Sequence, residues 1–373
     1  MKKALIVTAL SGFIRSFLTN DIKTLQSMGY EIHCAANKNH NGADGMEAYF
    51  KENNIIFHQV SFLSNKPLSK ETLSSYIELK KIIDKENYGL VHVHTPITGV
   101  LTRLVCRKKR KHGMKVIYTT HGLYFHKYSS KKSWIIFRSI ENWMSKYSDA
   151  IITINREDYG NVLNMKCKDV FYIPGVGVDL DRFKTAKVDR EYYRTLLNIK
   201  PTDFLILAIG ELSERKNHKI IIEALSICKL PNAVFMICGN AMTESNTKEY
   251  LEALAKEYNV DLRLMGLRKD IPEICKCADI GVMPSLREGL GLSGIEMIAS
   301  GLPLIASSIH GIVDYVKDDV NGYLSAKLRL AYRLACVLFI TFKGCQIGNF
   351  PKNLRQQKKG YSDGSFLAFQ LFP

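Results

Sequence analysis

The strongest constraint on this chain is an alternation that runs through it twice. Apolar runs of five to seven residues are separated by segments of helical length. The first series is ALIVTAL (4–10), EIHCAA (31–36), IIFHQV (55–60), LVHVHT (90–95), KVIYTT (115–120), AIITIN (150–155) and VFYIP (170–174). The second is FLILAIG (204–210), AVFMICG (233–239), DLRLMG (261–266), IGVMPS (280–285) and LPLIASS (302–308). Continuous apolar runs of this kind predict parallel strands covered on both faces. The segments between them carry helical spacing, as in Ile220, Ile221, Ala224, Leu225 and Ile227. Strand and helix in alternation predict doubly wound parallel sheets. Two series in 373 residues predict two Rossmann-like α/β domains rather than one oversized core.

The polar stretch 178–201 joins the two series, which places an N-terminal domain at 1–185 and a C-terminal domain at 186–325. Open α/β sheets bind ligands beyond the carboxyl ends of their strands, so two facing domains predict a site in the cleft between them. Residues 326–373 break the pattern. RLAYRLACVLFITFKGCQ gives way to a basic, glycine-dotted stretch whose single acidic residue is Asp363. That tail reads as a frameshifted or truncated terminus, or as a membrane-associating segment.

Hydrophobic residues at 46% and charged residues at 24% exclude a wholly disordered chain. No apolar stretch is long enough to predict a transmembrane helix. MKKALIVTAL has the basic start and apolar run of a signal peptide, but Arg15 follows closely and no small-residue cleavage site is present, so it reads as a first strand. Nine scattered cysteines without a C-x-x-C motif predict a reducing, cytoplasmic setting.

The net charge of +16 is uneven. Residues 1–190 carry 30 basic and 17 acidic side chains, whereas residues 191–325 carry 14 and 18. The densest run is Arg107, Lys108, Lys109, Arg110 and Lys111. Lys127, Lys131, Lys132 and Arg138 follow, interleaved with Tyr124, Phe125, Tyr128, Trp134, Ile135 and Phe137. Basic residues among aromatics suit an anionic membrane surface. They also suit nucleic acid, and a solvated helix end is the plainer alternative.

The sharpest constellation is SLREGLGLSGIEMIASG (285–301), which follows a predicted strand and opens a helix. Glu288 and Glu296 are separated by seven residues. Gly289 and Gly291 allow close backbone approach to a ligand, and a helix starting near Ser293 would offer N–H groups to a phosphate. Ser293 with Glu296 also reads as a capping box, which would give Glu296 a purely structural role.

This segment resembles the E-x7-E signature of the large retaining glycosyltransferase family of GT-B fold (glycosyltransferase family 4-like). Other segments agree. GELSERKNH (210–218) resembles that family's diphosphate-binding loop, TTHGLYF (119–125) its acceptor-side histidine loop, PGVGVDLDRF (174–183) its interdomain linker, and TALSGFIRSF (8–17) its first glycine loop. The pattern is similar to bacterial capsular and exopolysaccharide enzymes over about residues 1–325. The resemblance implies that Glu288 contacts hydroxyls of the donor sugar and Glu296 the ribose. Lys216 and Arg215 would neutralise the diphosphate. The backbone of Gly289, Leu290, Gly291, Leu292 and Ser293 would complete the phosphate cradle, and Gly266 to Arg268 would lie near the base. From the first domain, Gly12 would allow close approach to the diphosphate and His121 would touch the transferred sugar. His121, Lys216 and Glu288 are the catalytic candidates.

The chemistry suits these residue types. Cleaving a glycosyl–phosphate bond puts negative charge on the leaving diphosphate, which basic side chains and oriented amides stabilise. In a retaining enzyme the departing phosphate can take the acceptor proton, so no flanking carboxylate pair about 5–10 Å apart is required. Two departures stand out. Glu211 occupies a position where the family commonly has arginine, leaving Arg215 to supply that charge, and the tail does not resemble the family's closing helix.

Other signals are set aside. His92 and His94 share one face of a strand, but no third ligand is evident nearby, so no metal is assigned. Asp179-Leu180-Asp181 is a D-x-D inside the linker motif and is likewise given no metal. No P-loop is present.

The resemblance thus implies transfer of a hexose from a nucleotide sugar, a UDP-sugar as substrate, to a lipid-linked or saccharide acceptor. The enzyme would act in cell-surface polysaccharide synthesis such as capsule formation. It would work without a cofactor and without nucleic acid, in the cytoplasm and peripheral to the inner face of the cell membrane. The alternatives are a GT-B sugar-nucleotide epimerase, an inactive nucleotide-binding remnant, and a basic nucleic-acid-binding protein with steep salt dependence.

Overall fold

Thirteen strands form two all-parallel sheets in a computed structural model that describes residues 1–40, 43–62, 69–241 and 246–325. The tail 326–373 lies outside the described residues. The chain divides between Gly177 and Val178, inside the 174–183 linker segment.

The first unit holds β1 (Lys2–Leu10), β2 (Tyr30–Asn37), β3 (Ile55–Gln59), β4 (Tyr88–His94), β5 (Lys115–Thr120), β6 (Ala150–Thr153) and β7 (Asp169–Tyr172). Their order is β3-β2-β1-β4-β5-β6-β7. MKKALIVTAL therefore supplies a central strand. Its side chains alternate between two cores: Leu5 and Val7 join Val91, Val93 and Tyr118, while Ala4 and Ile6 join Ile22, Leu25 and Leu90. Burial on both faces accounts for the unbroken apolar run.

Arg103 is fully buried on the first face. Its guanidinium pairs with Glu141 at 2.8 Å and stacks 4.3 Å over the Tyr118 ring. That pair fastens the helix Lys131–Ser145 to the helix Pro96–Cys106. The helix Lys131–Ser145 also carries exposed Trp134, Ile135, Ile136, Ile140 and Trp143.

The second unit holds β8 (Phe204–Ile209), β9 (Ala233–Cys238), β10 (Asp261–Leu264), β11 (Ile280–Met283), β12 (Leu304–Ser307) and β13 (Gly322–Ser325), ordered β10-β9-β8-β11-β12-β13. β13 was not foreseen. It is an edge strand of four residues with half-buried Tyr323 and Leu324 at its centre, too short and too mixed to show as an apolar run. Buried Arg194 closes the base of this sheet by donating to the carbonyls of Cys277, Lys200 and Asp203 at 2.6–3.0 Å.

In each sheet the strand order reverses beside the first strand, between β1 and β4 and between β8 and β11. Such switch points are where open sheets take ligands.

Candidate active site

The switch point of the second sheet gathers charge. The loop after β8 and the turn after β11 are knitted by backbone and side-chain bonds: Leu286 N donates to Arg215 O at 2.8 Å and Asn217 Nδ2 to Pro284 O at 3.2 Å. This brings Lys216 to Glu288. The Lys216 Nζ lies 2.8 Å and the Arg215 Nη1 3.1 Å from Glu288 Oε1, and Ser285 Oγ donates to the same oxygen at 2.9 Å. Burial alone would raise the Glu288 carboxyl. The Lys216 ammonium and Arg215 guanidinium outweigh burial and hold it below the usual carboxylate range.

Gly210 makes room for this arrangement. Its φ is +151°, and a Cβ there would stand 2.8 Å from Lys216 Cε. Arg215 also pairs with Glu211 at 2.8 Å, and its Nη1 donates to Arg287 O at 3.0 Å. Glu211, the residue where arginine was expected, thus offsets Arg215. The quartet Glu211, Arg215, Lys216 and Glu288 carries two charges of each sign.

Gly291 has φ +80° and caps the helix Leu292–Ala299, with its carbonyl accepting from Tyr315 Oη at 3.0 Å. A side chain there would be strained and would meet Met283 Sδ at 2.9 Å. The helix begins immediately after it, so the amides of Leu292 and Ser293 lack intrahelical acceptors. The capping-box reading fails: the N-cap is Gly291, and Ser293 already lies inside the helix. Glu296 is free of that duty. Its carboxylate is partly buried and makes no hydrogen bond or ion pair with any described residue. Burial pushes it above the usual carboxylate range, opposed by Arg182.

Arg268 is held by Asp270 in a two-point contact of 2.8 and 2.5 Å, and Asp270 also accepts from the Tyr193 hydroxyl. Asp179 of the D-x-D is an N-cap, its carboxylate accepting from Arg182 N at 3.0 Å. Ser285 and Tyr315 escaped the sequence reading. Ser285 sits inside the 285–301 motif, where a hydroxyl three residues before Glu288 was the available signal; nothing local marks Tyr315.

The first unit places its candidates differently. Gly12 does not lie in a loop: β1 runs directly into the helix Ser11–Phe17, and Gly12 falls in its first turn with its N–H 3.5 Å from His40 Nε2. His121, just past β5, meets His94 Nδ1 through Nε2 at 2.9 Å and packs edge-on to Phe13 at 4.8 Å. Burial, reinforced by His92, lowers the His121 imidazole to about 3, and burial lowers His92 to about 4. These rings are therefore neutral at physiological pH. The expectation that His92 and His94 lack a third ligand-bearing neighbour is overturned: Asp21, from the helix Thr19–Ser27, joins them. Its carboxyl is pushed up to about 6 by burial.

Two parallel-sheet α/β units, the second with a glycine-capped helix and a basic pair beside its switch point, define a GT-B glycosyltransferase. Residues 4–155 match the glycosyl transferase 4-like family model and residues 189–329 the model for glycosyl transferases group 1. The chain is 32% identical over 328 residues to EpsD of Bacillus subtilis (strain 168), a protein named as a glycosyltransferase, spanning 87% of this chain and 83% of that one. It is 30% identical to the UDP-Gal:alpha-D-GlcNAc-diphosphoundecaprenol alpha-1,3-galactosyltransferase of Escherichia coli, spanning 74% and 72% of the two chains. Among solved structures, Anabaena HepE in complex with UDP and glucose superimposes with a TM-score of 0.73 at 17% identity, spanning 93% of this chain and 91% of that one. The chain belongs to the glycosyltransferase family, and it is a transferase.

Proposed function

We propose that the enzyme moves a hexose, with retention, from a UDP-sugar to a lipid-linked saccharide during cell-surface polysaccharide synthesis. The observation that carries this reading is the Lys216–Arg215–Glu288 cluster beside the start of the helix Leu292–Ala299. An arriving diphosphate competes with Glu288 for the Lys216 ammonium and accepts from the Leu292 and Ser293 amides. Glu288, relieved of part of its ion pairing, becomes an acceptor for sugar hydroxyls. Glu296, an uncommitted carboxylate, suits the two ribose hydroxyls. Charge that grows on the leaving diphosphate is met by groups already in place, which is worth about 3–4 kcal/mol per donor in comparable sites. His121 is assigned to the transferred sugar.

The donor choice draws support from the galactosyltransferase relative, whose name gives UDP-Gal, and from HepE, solved with UDP and glucose. That relative's name also gives a diphosphoundecaprenol-linked acceptor, which favours a lipid-linked one here. The helix Lys131–Ser145 favours a peripheral position on an anionic membrane. Ile135 is 61% and Trp143 49% exposed, and Lys127, Lys131, Lys132, Arg138 and Lys146 lie close to them in the sequence. No described helix is long and apolar enough to cross a membrane.

The test is thermal stabilisation of the full chain across UDP-, GDP- and ADP-sugars, since a ligand of the folded state raises apparent stability by mass action. UDP and one UDP-hexose should raise the Tm most. Equal, negligible shifts across the panel would contradict the donor assignment.

A further inference from the structure

Three side chains of the first unit converge with polar atoms left unpartnered. His92 and His94 are 3% and 1% exposed. Each commits one ring nitrogen: His92 Nε2 lies 2.8 Å from Thr119 Oγ1, and His94 Nδ1 2.9 Å from His121 Nε2. The remaining nitrogens, His92 Nδ1 and His94 Nε2, are buried with no hydrogen-bond partner. The two rings are 4.2 Å apart, on the face of β4 that packs against the helix Thr19–Ser27. That helix contributes Asp21, whose carboxylate makes no hydrogen bond or ion pair with any described residue. One ligand atom each from Asp21, His92 and His94 can be chosen so that all lie within 4.8 Å of one another.

A buried lone pair without a donor is unfavourable, and so is a partly buried carboxylate without a cation. A single cation satisfies all three. Two imidazole nitrogens and one carboxylate oxygen form the donor set of a borderline metal, with water in a fourth position, whereas Mg²⁺ favours an all-oxygen shell. The second shell is also built. Coordination through His92 Nδ1 leaves Nε2–H to donate to Thr119, and coordination through His94 Nε2 leaves Nδ1–H to donate to His121. Asp21 is only partly buried, which gives an ion a way in.

We propose that Asp21, His92 and His94 form a site for a divalent transition metal, with Zn²⁺ the best match. The ion fixes a tautomer beyond its own ligands. His94 Nδ1–H donates to His121 Nε2, so the His121 proton resides on Nδ1, and that nitrogen becomes a donor. Asp21, His92 and His94 thus act as positioning residues for His121 and do not touch substrate.

The full chain is stripped with EDTA, dialysed, and titrated with Zn²⁺, Co²⁺ and Mg²⁺. The expected result is one Zn²⁺ per chain, a rise in Tm with Zn²⁺ but not Mg²⁺, and a visible Co²⁺ spectrum of tetrahedral intensity. Asp21→Asn and His94→Gln should weaken Zn²⁺ binding at least tenfold and abolish that spectrum. His112→Gln, at an exposed position, should change neither. If His94→Gln fails to fold, Asp21→Asn still decides the matter. Ring ¹⁵N shifts of His121 should report Nδ1–H in the Zn²⁺-loaded chain. Substoichiometric binding, or binding unchanged in Asp21→Asn, overturns the proposal and leaves a buried water at the site.

Discussion

The two sheets of this enzyme reverse their strand order in the same way and each gathers polar side chains near that reversal, on β4 and just past β5 in the first and after β8 and β11 in the second, yet the two clusters are electrostatic opposites. In the second unit Glu211, Arg215, Lys216 and Glu288 are charged and mutually paired. In the first, His92, His94 and His121 are neutral, and two ring nitrogens have no partner. A balanced ion cluster can exchange one partner for an incoming anion with little net change in burial. A neutral cluster with orphaned lone pairs has no charge to exchange. It is complementary to a cation or a proton and is suited to holding one group in place. On the proposed function, the difference separates a cluster suited to a charged leaving group from one suited to positioning a single imidazole.

The largest expected effect falls on the charged cluster. Lys216→Ala should lower kcat/KM by about 10²- to 10³-fold, the size seen when one donor to a developing negative charge is lost. The fold should survive, because Arg215 and Ser285 remain on Glu288. Normal turnover in that variant would dissolve the contrast between the clusters.

Acid should separate the units next. Glu288 titrates below its ordinary value of 4.5 in the fold, so its contribution is intact above about that pH and is lost as pH falls through the folded pKa. Buried His92 and His121 also titrate low, but for imidazoles the sign puts the loss earlier: the unfolded chain takes up protons from pH 6.5 downward while the fold resists until about 4 and 3. With chelator present, the first unit, where His92, His94 and His121 all titrate low against His218 in the second, should therefore open at higher pH than the second. Both tryptophans, Trp134 and Trp143, report the first unit, and hydrogen exchange reports both. Simultaneous opening would show that these titrations do not govern acid stability.

Glu296→Gln should weaken UDP binding by several-fold, read by calorimetry, with the Tm unchanged, because Glu296 caps nothing. A fall in Tm without a change in affinity would restore the structural role that the geometry removes. The smallest effect belongs to Glu211→Gln. Removing the carboxylate that offsets Arg215 should tighten UDP about two- to threefold at low salt, an advantage that salt should erase. Weaker binding would mean that Glu211 matters more for holding Arg215 in position than for its charge.

Much of this was written locally. Runs such as ALIVTAL and FLILAIG announce strands because both faces of a parallel sheet demand apolar residues. The 285–301 segment declares its turn and helix through Gly291. What the sequence concealed is pairing at a distance. Lys216 and Glu288 are 72 positions apart and were assigned to different parts of the donor, whereas the fold joins them at 2.8 Å. Asp21 is 71 positions from His92 and looks like an ordinary first-turn acid, so only the packing of the helix Thr19–Ser27 against β4 reveals it. β13 went unseen because four residues of mixed character at a sheet edge leave no periodic trace. Glu296 was ambiguous because S-x-x-E fits a cap until the helix start is known to be Gly291 rather than Ser293.

The central claim is that Lys216 and the start of the helix Leu292–Ala299 receive a diphosphate. A crystal structure of the chain with UDP-hexose tests it most directly. The β-phosphate should lie within hydrogen-bond distance of Lys216 Nζ and of the Leu292 and Ser293 amides, with the Lys216–Glu288 separation lengthened. A diphosphate bound elsewhere, with Lys216 still closed on Glu288, would contradict the account.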